Sequence, residues 1–349
     1  MPRPAARSAT YEAPPNIALV KYWGVRDREL MLPYNPSLSV TLERLRSRTT
    51  VRFDPELADD RVVLNRAPAV GAPRDDVVAF LDRVRARAGL TDRASVVSDN
   101  NFPTASGLAS SASGFAALAG AASAAAGLSL SDRGLSALAR LGSGSASRSV
   151  FGGFVEWRAG VRPDGLDCYA RPLYGPRHWP ALVDLVLLVE RAPTKEMRSV
   201  DAMQRTVATS PGYRARLAEV PRRLRQIARA IGARDPARLF PLVMEECDSF
   251  REVCETTRPS LDYLTTASRG VLAEVRGMNR EAGRPIAAYT HDAGAHVHVF
   301  TLARDLPRVR RRLAAVPGVE RTLTLRPGPG MRRIPARGSP AGARPRRTS

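Results

Sequence analysis

The run from Pro103 to Gly127, PTASGLASSASGFAALAGAASAAAG, is uncharged and built almost entirely from alanine, glycine and serine. It reads as a Gly/Ser loop entering an alanine-rich helix that continues to about Ala126 and is stopped by Gly127. A helix start among such small residues lets ligand oxygens reach backbone N–H groups at the positive end of the helix dipole. The same composition also suits a helix packed closely against its neighbours. The stretch sits mid-chain and is too poor in large apolar residues to insert into a bilayer.

A chain of 349 residues has about two domains' worth of length, and 44% hydrophobic with 25% charged residues excludes wholesale disorder. Net charge is +20 with a pI near 11.2, which raises the question of nucleic acid. Seven arginines and no acid lie in the Pro/Gly/Ser-rich stretch 326–349, expected to be an unfolded basic tail, and without them the charge is +13. The remainder is spread over arginine-rich helical faces with no zinc finger, helix-turn-helix or RNP-like motif. Cys168, Cys247 and Cys254 fit no disulfide or metal pattern and suit a reducing, cytoplasmic setting. Of 54 basic residues only Lys21 and Lys195 are lysine. A lysine that survives such a bias is a candidate for a compact point charge in a tight pocket.

The first ten residues read as a frayed terminus. Apolar NIALVKYW and SLSVTL predict strands joined by a polar loop, followed by strands RTTVRF and RVVLNR, a helix over 74–88 and the strand ASVVSD. After the alanine-rich helix come a helix from Ser131–Asp132 to Leu141, the loop GSGSASRS and the strand GGFVEW. The second half opens on the buried-strand run ALVDLVLLVE. Helices over 208–231, 236–255 and 261–282 follow, then strands AAYT and VHVFTL and a helix over 305–316. This order predicts an α+β fold, helices layered on antiparallel sheet, with a boundary near Arg177 to Pro180, where GPRHWP interrupts both patterns. The expected domains are 1–178 and 179–325.

Three clusters carry polar chemistry. Gly107 and Gly114 with Ser106, Ser110, Ser111 and Ser113 form the loop that begins the alanine-rich helix, without the Gly-Lys-Ser/Thr of a Walker A motif. Ser143, Ser145 and Arg148 lie on a glycine-supported turn, where a guanidinium fork can clamp a carboxylate or phosphate. Asp292, at a strand end beside Ala293 and Gly294, can orient or deprotonate a hydroxyl. His291, His296 and His298 crowd the same turn without clear metal-ligand spacing and read as packed or surface residues.

Together APPNIALVKYWG with NPSLSVTL, NNFPTASGLASSASGFAALA, GSGSASRSVFGGFVEW, MQRTVATSPGY and THDAG, in this order over residues 13–302, closely resemble the mevalonate diphosphate decarboxylases of the GHMP kinase superfamily. The resemblance implies a ribosomal-protein-S5-like N-terminal domain on a ferredoxin-like C-terminal domain, with ATP and substrate between them. It implies phosphorylation of the tertiary 3-hydroxyl of a 5-phosphorylated mevalonate, then loss of phosphate and CO2. By the same resemblance Asp292 and Lys21 serve the hydroxyl and Arg148 the departing carboxylate. Tyr22, Ser143, Ser145 and Ser199 hold substrate, while Gly107, Leu108, Ala109, Ser110, Ser111 and Ser113 bind the ATP phosphates, Ser111 also serving Mg2+. Lys21, Arg148 and Asp292 are all present, which argues against a relative that only phosphorylates the hydroxyl.

One departure matters: the family's KYWGK is KYWGV here, so Val25 stands where a cation is expected near the substrate's phosphate end. That leaves two substrates open, the 5-diphosphate giving isopentenyl diphosphate and the 5-phosphate giving isopentenyl phosphate. Arg26, the next residue, offers a possible replacement cation. The expected partners are the small-molecule substrate and a second copy of the chain in a homodimer, with no membrane and no nucleic acid. A rival from another class is a nucleic-acid-binding protein on a degenerate kinase-like fold, motivated by the pI and the tail.

Overall fold

The computed structural model describes residues 7–102, 110–189 and 197–335. The chain begins with β1 (Arg7–Ala13), β2 (Asn16–Val20), the hairpin β3 (Val25–Asp27) and β4 (Leu32–Pro33), β5 (Ser37–Thr41), β6 (Ser47–Asp54), β7 (Arg61–Leu64) and β8 (Ala67–Pro68). Then come α1 (Ala72–Ala88), β9 (Arg93–Asn100), α2 (Ser110–Ala125), α3 (Asp132–Arg140), α4 (Ala146–Ser149), β10 (Phe154–Trp157) and β11 (Ala170–Tyr174). The second half holds β12 (Leu182–Val189), α5 (Ser199–Thr209), α6 (Tyr213–Ala233), α7 (Pro236–Glu255) and α8 (Thr266–Glu281). It closes with β13 (Ala287–Thr290), β14 (Val297–Leu302), α9 (Leu306–Ala314), β15 (Val319–Leu325) and β16 (Arg332–Ile334).

Three sheets position the site. The first has the order β16-β1-β6-β9-β7-β8, antiparallel except for the parallel β7–β9 pair. Inward Val51 and Phe53 of β6 share a core with the alanines of α2, whose short side chains bring that helix directly onto β1 and β6. The second sheet, β11-β10-β5-β2, is buried on both faces in β2 and β5, because α4 packs on β5 and β10, and α6 and α7 pack on β2. The third, β13-β14-β12-β15, is wholly antiparallel. One apolar core runs from Ile17, Val40 and Phe154 to Leu182, Ile227, Phe240 and Phe300, so the two halves of the chain share it. Among the described residues no helix is long and apolar enough to cross a membrane.

Both ends of the chain correct the sequence reading. Residues 7–13 are not frayed: β1 pairs along its whole length with β6. Nor is the unfolded tail unfolded from its start. Residues 326–335 run as a strap: Arg326 O accepts from Glu43 N at 2.9 Å, Gly328 N donates to Thr41 O at 2.8 Å, Met331 N donates to Val150 O at 3.2 Å, and β16 pairs with β1. The Pro/Gly composition serves close crossing of backbones, since a Cβ on Gly328 would lie 2.6 Å from the Glu43 backbone. Residues 336–349 lie outside the described residues.

Deleting 326–349 is therefore expected to lower Tm by roughly 10 °C, from the loss of several hydrogen bonds at about 1 kcal/mol each. Deleting only 336–349 keeps the strap contacts of 326–335 and should lower Tm by less than the longer deletion. Equal Tm values for the two truncations in a thermal melt would contradict the strap.

Candidate active site

Lys21 follows the last residue of β2, the outer strand of its sheet. Its Nζ donates to Ala18 O and to Asp292 Oδ1, both at 2.7 Å. Its own N–H donates to Glu246 Oε1 at 3.0 Å, and its carbonyl accepts from Asn35 Nδ2 at 2.9 Å. Lys21 is 3% exposed and Asp292 30%, and Asp292 Oδ2 has no hydrogen-bond partner among the described residues. Burial acts to raise the Asp292 pKa, but the Lys21 charge and hydrogen bond, with lesser help from His298 and Arg148, hold it below its ordinary value. The carboxylate is thus ionised at neutral pH and open on one side.

Asp292 sits two residues past β13, in a turn fixed by Gly294 N donating to its carbonyl at 2.8 Å. His291 Nδ1 lies 2.8 Å from the same carbonyl. Burial pushes the His291 pKa down to about 4, so the ring is neutral and its Nδ1–H is the donor. His298 pairs instead with Asp184 at 2.7 Å, both buried. His296 precedes β14 and is buried, so the three histidines are packed residues. No group of three or more His, Cys, Asp or Glu able to hold a metal occurs among the described residues.

Arg148 lies in the single-turn α4 and is 3% exposed. Its Nε donates to Asn16 Oδ1 at 3.1 Å and its Nη1 to Ser37 Oγ at 2.7 Å. Asn16 is itself aimed by donating to Ser149 Oγ at 2.8 Å and Ser145 O at 3.2 Å. No carboxylate among the described residues forms an ion pair with Arg148, and burial pushes its pKa down to about 10 even though Asp292 acts to raise it. A buried guanidinium without a counterion is costly unless an anion joins it. Beside it the Tyr22 ring meets Trp157 edge-on at 4.7 Å, and the Tyr22 hydroxyl is buried without a partner among the described residues. Burial raises that phenol's pKa, so it is a neutral donor waiting for an acceptor.

Other residues expected at the site fall into place unevenly. Ser143 and Ser145 are half-buried with hydroxyls 3.3 Å apart, on the turn that enters α4. Ser199 begins α5, which packs on β3 and donates from Gln204 Nε2 to Val25 O at 2.8 Å. Gly107, Leu108 and Ala109 lie outside the described residues, as does Lys195. Ser110 and Ser111 open α2 on a partly exposed face, and a Cβ added at Gly114 on that face meets nothing within 4 Å among the described residues. Ser113 does not share that face: its hydroxyl is buried 2.6 Å from Ser47 Oγ and donates to Ser110 O, joining α2 to β6.

Sequence reading missed Asn16, Asn35, Ser37 and Glu246. Asn16 did carry a signal, as the one polar residue of the strand NIALV, whereas Ser37 is one of three polar residues in SLSVT and did not stand out. The reading of Val25 is also corrected. It is 1% exposed, inside an apolar cluster with Trp23, Met203, Tyr213, Phe250 and Val253, so it does not face a phosphate. Arg26 is engaged with the carbonyls of Pro33 and Gly160. Val25→Lys is expected to cost about 3 kcal/mol through overpacking and a buried ammonium, lowering Tm by roughly 6 to 12 °C. The ratio of activity on the 5-diphosphate to that on the 5-phosphate should stay constant; a stable variant with a changed ratio would bring position 25 back to the substrate.

The chain matches the domain family described as Diphosphomevalonate decarboxylase-like N-terminal domain over residues 13–170, and Mevalonate 5-diphosphate decarboxylase C-terminal domain over residues 185–325. Diphosphomevalonate decarboxylase mvd1 of Aspergillus fumigatus is 40% identical over 326 residues, covering 89% of this chain and 80% of that protein. A solved complex of MDDEF with MVAPP, AMPPCP and magnesium has a TM-score of 0.89 at 37% identity, over 95% of this chain and 100% of the other. Mevalonate diphosphate decarboxylase from Staphylococcus aureus has a TM-score of 0.88 at 35% identity, over 95% and 98%. Layered α+β architecture and these likenesses define a GHMP kinase fold. The chain belongs to the diphosphomevalonate decarboxylase family.

Proposed function

We propose that this chain converts 5-diphosphomevalonate and ATP to isopentenyl diphosphate, ADP, phosphate and CO2. The observation that carries the reading is a buried arginine, Arg148, with no ion-paired carboxylate among the described residues, near enough to the Lys21–Asp292 pair for its charge to act on Asp292. One group awaits an anion, and the other offers an open carboxylate oxygen to a hydroxyl. A β-hydroxy acid supplies both.

The open oxygen of Asp292 accepts a hydrogen bond from the 3-hydroxyl and takes its proton as the new O–P bond forms. With its pKa lowered by Lys21, Asp292 is a weak base. That suffices for phosphoryl transfer through a loose transition state, in which the proton leaves late. Lys21 holds Asp292 in place and offsets charge that develops on the reacting oxygens. ATP with Mg2+ supplies the phosphoryl group that turns the tertiary hydroxyl into a leaving group. Arg148 holds the C1 carboxylate until the C1–C2 bond breaks; its electrons form the C2–C3 double bond as phosphate leaves C3 with the C–O pair. Tyr22, Ser143, Ser145 and Ser199 are assigned to the substrate's remaining oxygens.

The open face of Ser110, Ser111 and Gly114 at the start of α2 fits a polyphosphate. Ser111 would give Mg2+ one hydroxyl oxygen. The domains are taken to divide near residue 178, between the end of β11 at Tyr174 and the start of β12 at Leu182, in a homodimer. Purified protein with Mg-ATP and, separately, mevalonate, its 5-phosphate and its 5-diphosphate tests the substrate. The highest kcat/KM for CO2 release is expected with the diphosphate; a preference for the monophosphate would replace this substrate by its nearest alternative.

A further inference from the structure

Glu246, in the middle of α7, is fully buried yet lies outside the set of groups given a chemical role above. Its Oε1 accepts the Lys21 N–H at 3.0 Å and also a close contact from Arg216 Nη2. Its Oε2 accepts from Arg216 Nη1 at 3.3 Å and Arg223 Nη1 at 2.8 Å. Both arginines come from α6, seven residues apart and so on one face. They counter the desolvation that would raise the Glu246 pKa and leave it lowered, hence ionised.

The location explains why a carboxylate is buried here. β2 is the outer strand of its sheet, so backbone groups on its free edge have no strand to pair with. Ala18 O on β2 accepts instead from Lys21 Nζ and, at 3.4 Å, from Thr290 Oγ1, while Lys21 N–H finds Glu246. Asn35 grips the Lys21 carbonyl. The lysine backbone is therefore held on both sides, and its side chain has little freedom except to reach Asp292. A bond from α6 to α7 needs no such carboxylate, because Arg216 Nη1 also donates to Ser249 Oγ at 3.0 Å and apolar Leu224, Ile227, Phe240 and Val243 pack between these helices.

We infer that Glu246 is a positioning residue for Lys21: bridging from α7 to the end of β2, it sets where the ammonium meets Asp292. This rests on the proposed roles of Lys21 and Asp292. Losing the bridge lets Lys21 retreat, which weakens its hold on the Asp292 carboxylate. The other groups acting on Asp292, Arg148 from α4 and His298 from β14, stay where they are.

The test is Glu246→Leu made together with Arg216→Met and Arg223→Met, so that no buried charge is stranded. Expected are a kcat for CO2 release reduced about 10- to 100-fold, as a misplacement of order 1 Å produces, and KM values for both substrates within about threefold. The acid limb of the kcat profile should move up by roughly one pH unit, because Asp292 is less well paired. A purely structural salt bridge moves Tm and neither of these, so a folded triple variant with near-wild-type kcat and an unmoved limb overturns the inference. Should that variant not fold, Glu246→Asp keeps the charge for both arginines but withdraws the carboxylate by one methylene, and the same two readouts decide. Wild-type protein that releases no CO2 overturns the proposed function instead, whatever the variants do.

Discussion

Replacing Asp292 by asparagine is expected to reduce phosphate and CO2 release together by about 10² to 10⁴-fold, the usual worth of a general base. The fold should survive, because an amide oxygen can still accept from Lys21 Nζ, which also keeps its bond to Ala18 O. An amide cannot take the hydroxyl proton. The pH dependence follows from the same pair. Lys21 depresses the folded-state pKa of Asp292, so the pair's contribution to stability is present above the unfolded value of about 3.9 and is lost as pH falls through the lower folded value. Wild-type activity should accordingly hold on its acid side until below the ordinary carboxylate range, with this limb missing from any residual activity of Asp292→Asn. Near-wild-type turnover by the asparagine variant, measured as CO2 release, would remove Asp292 from the chemistry.

Arg148→Met is expected to separate activity from stability. Removing one partner of a buried charge pair costs about 3 to 5 kcal/mol, between two and four powers of ten in rate if the pair is made with the substrate's carboxylate. Stability should change by less than activity, because removing a buried charge that has no carboxylate partner among the described residues offsets the bonds lost by Asn16 Oδ1 and Ser37 Oγ. Asn16 keeps its bonds to Ser149 and Ser145. Arg148→Lys retains the charge without the planar fork and should recover only part of the loss. Full activity in the lysine variant would show that a point charge suffices; a large fall in Tm for Arg148→Met, seen by calorimetry, would show that the bonds to Asn16 and Ser37 hold the fold rather than aim the guanidinium.

Residues whose chemistry is local were legible in the sequence. The helix begun by Ser110 and Ser111, the turn carrying Arg148 and the strand end carrying Asp292 announce themselves through small residues, turn glycines and strand periodicity. Each is built by neighbours within a few positions. Glu246 was illegible because nothing within α7 distinguishes it from a solvated helical glutamate; its role exists only because the fold places that helix turn beside Lys21, 225 positions away. Val25 misled for the complementary reason: a departure from a family pattern shows that a side chain changed, and only packing shows that it faces an apolar cluster. The strap at 326–335 misled through composition, since proline and glycine suit both unfolded chain and tightly crossing backbones. Ser113 belongs with these, a serine of the expected motif turned inward by the helical period to meet Ser47.

Phosphoryl transfer and decarboxylation at one site must be coupled in this enzyme. Purified protein incubated with Mg-ATP and 5-diphosphomevalonate, with ADP, phosphate and CO2 quantified in the same samples over time, measures this directly. The three should rise together, one of each per isopentenyl diphosphate formed, and none should appear at a significant rate when either substrate is omitted. ADP accumulating without CO2 would mean that the site phosphorylates the hydroxyl and stops, and would contradict the role given to Arg148.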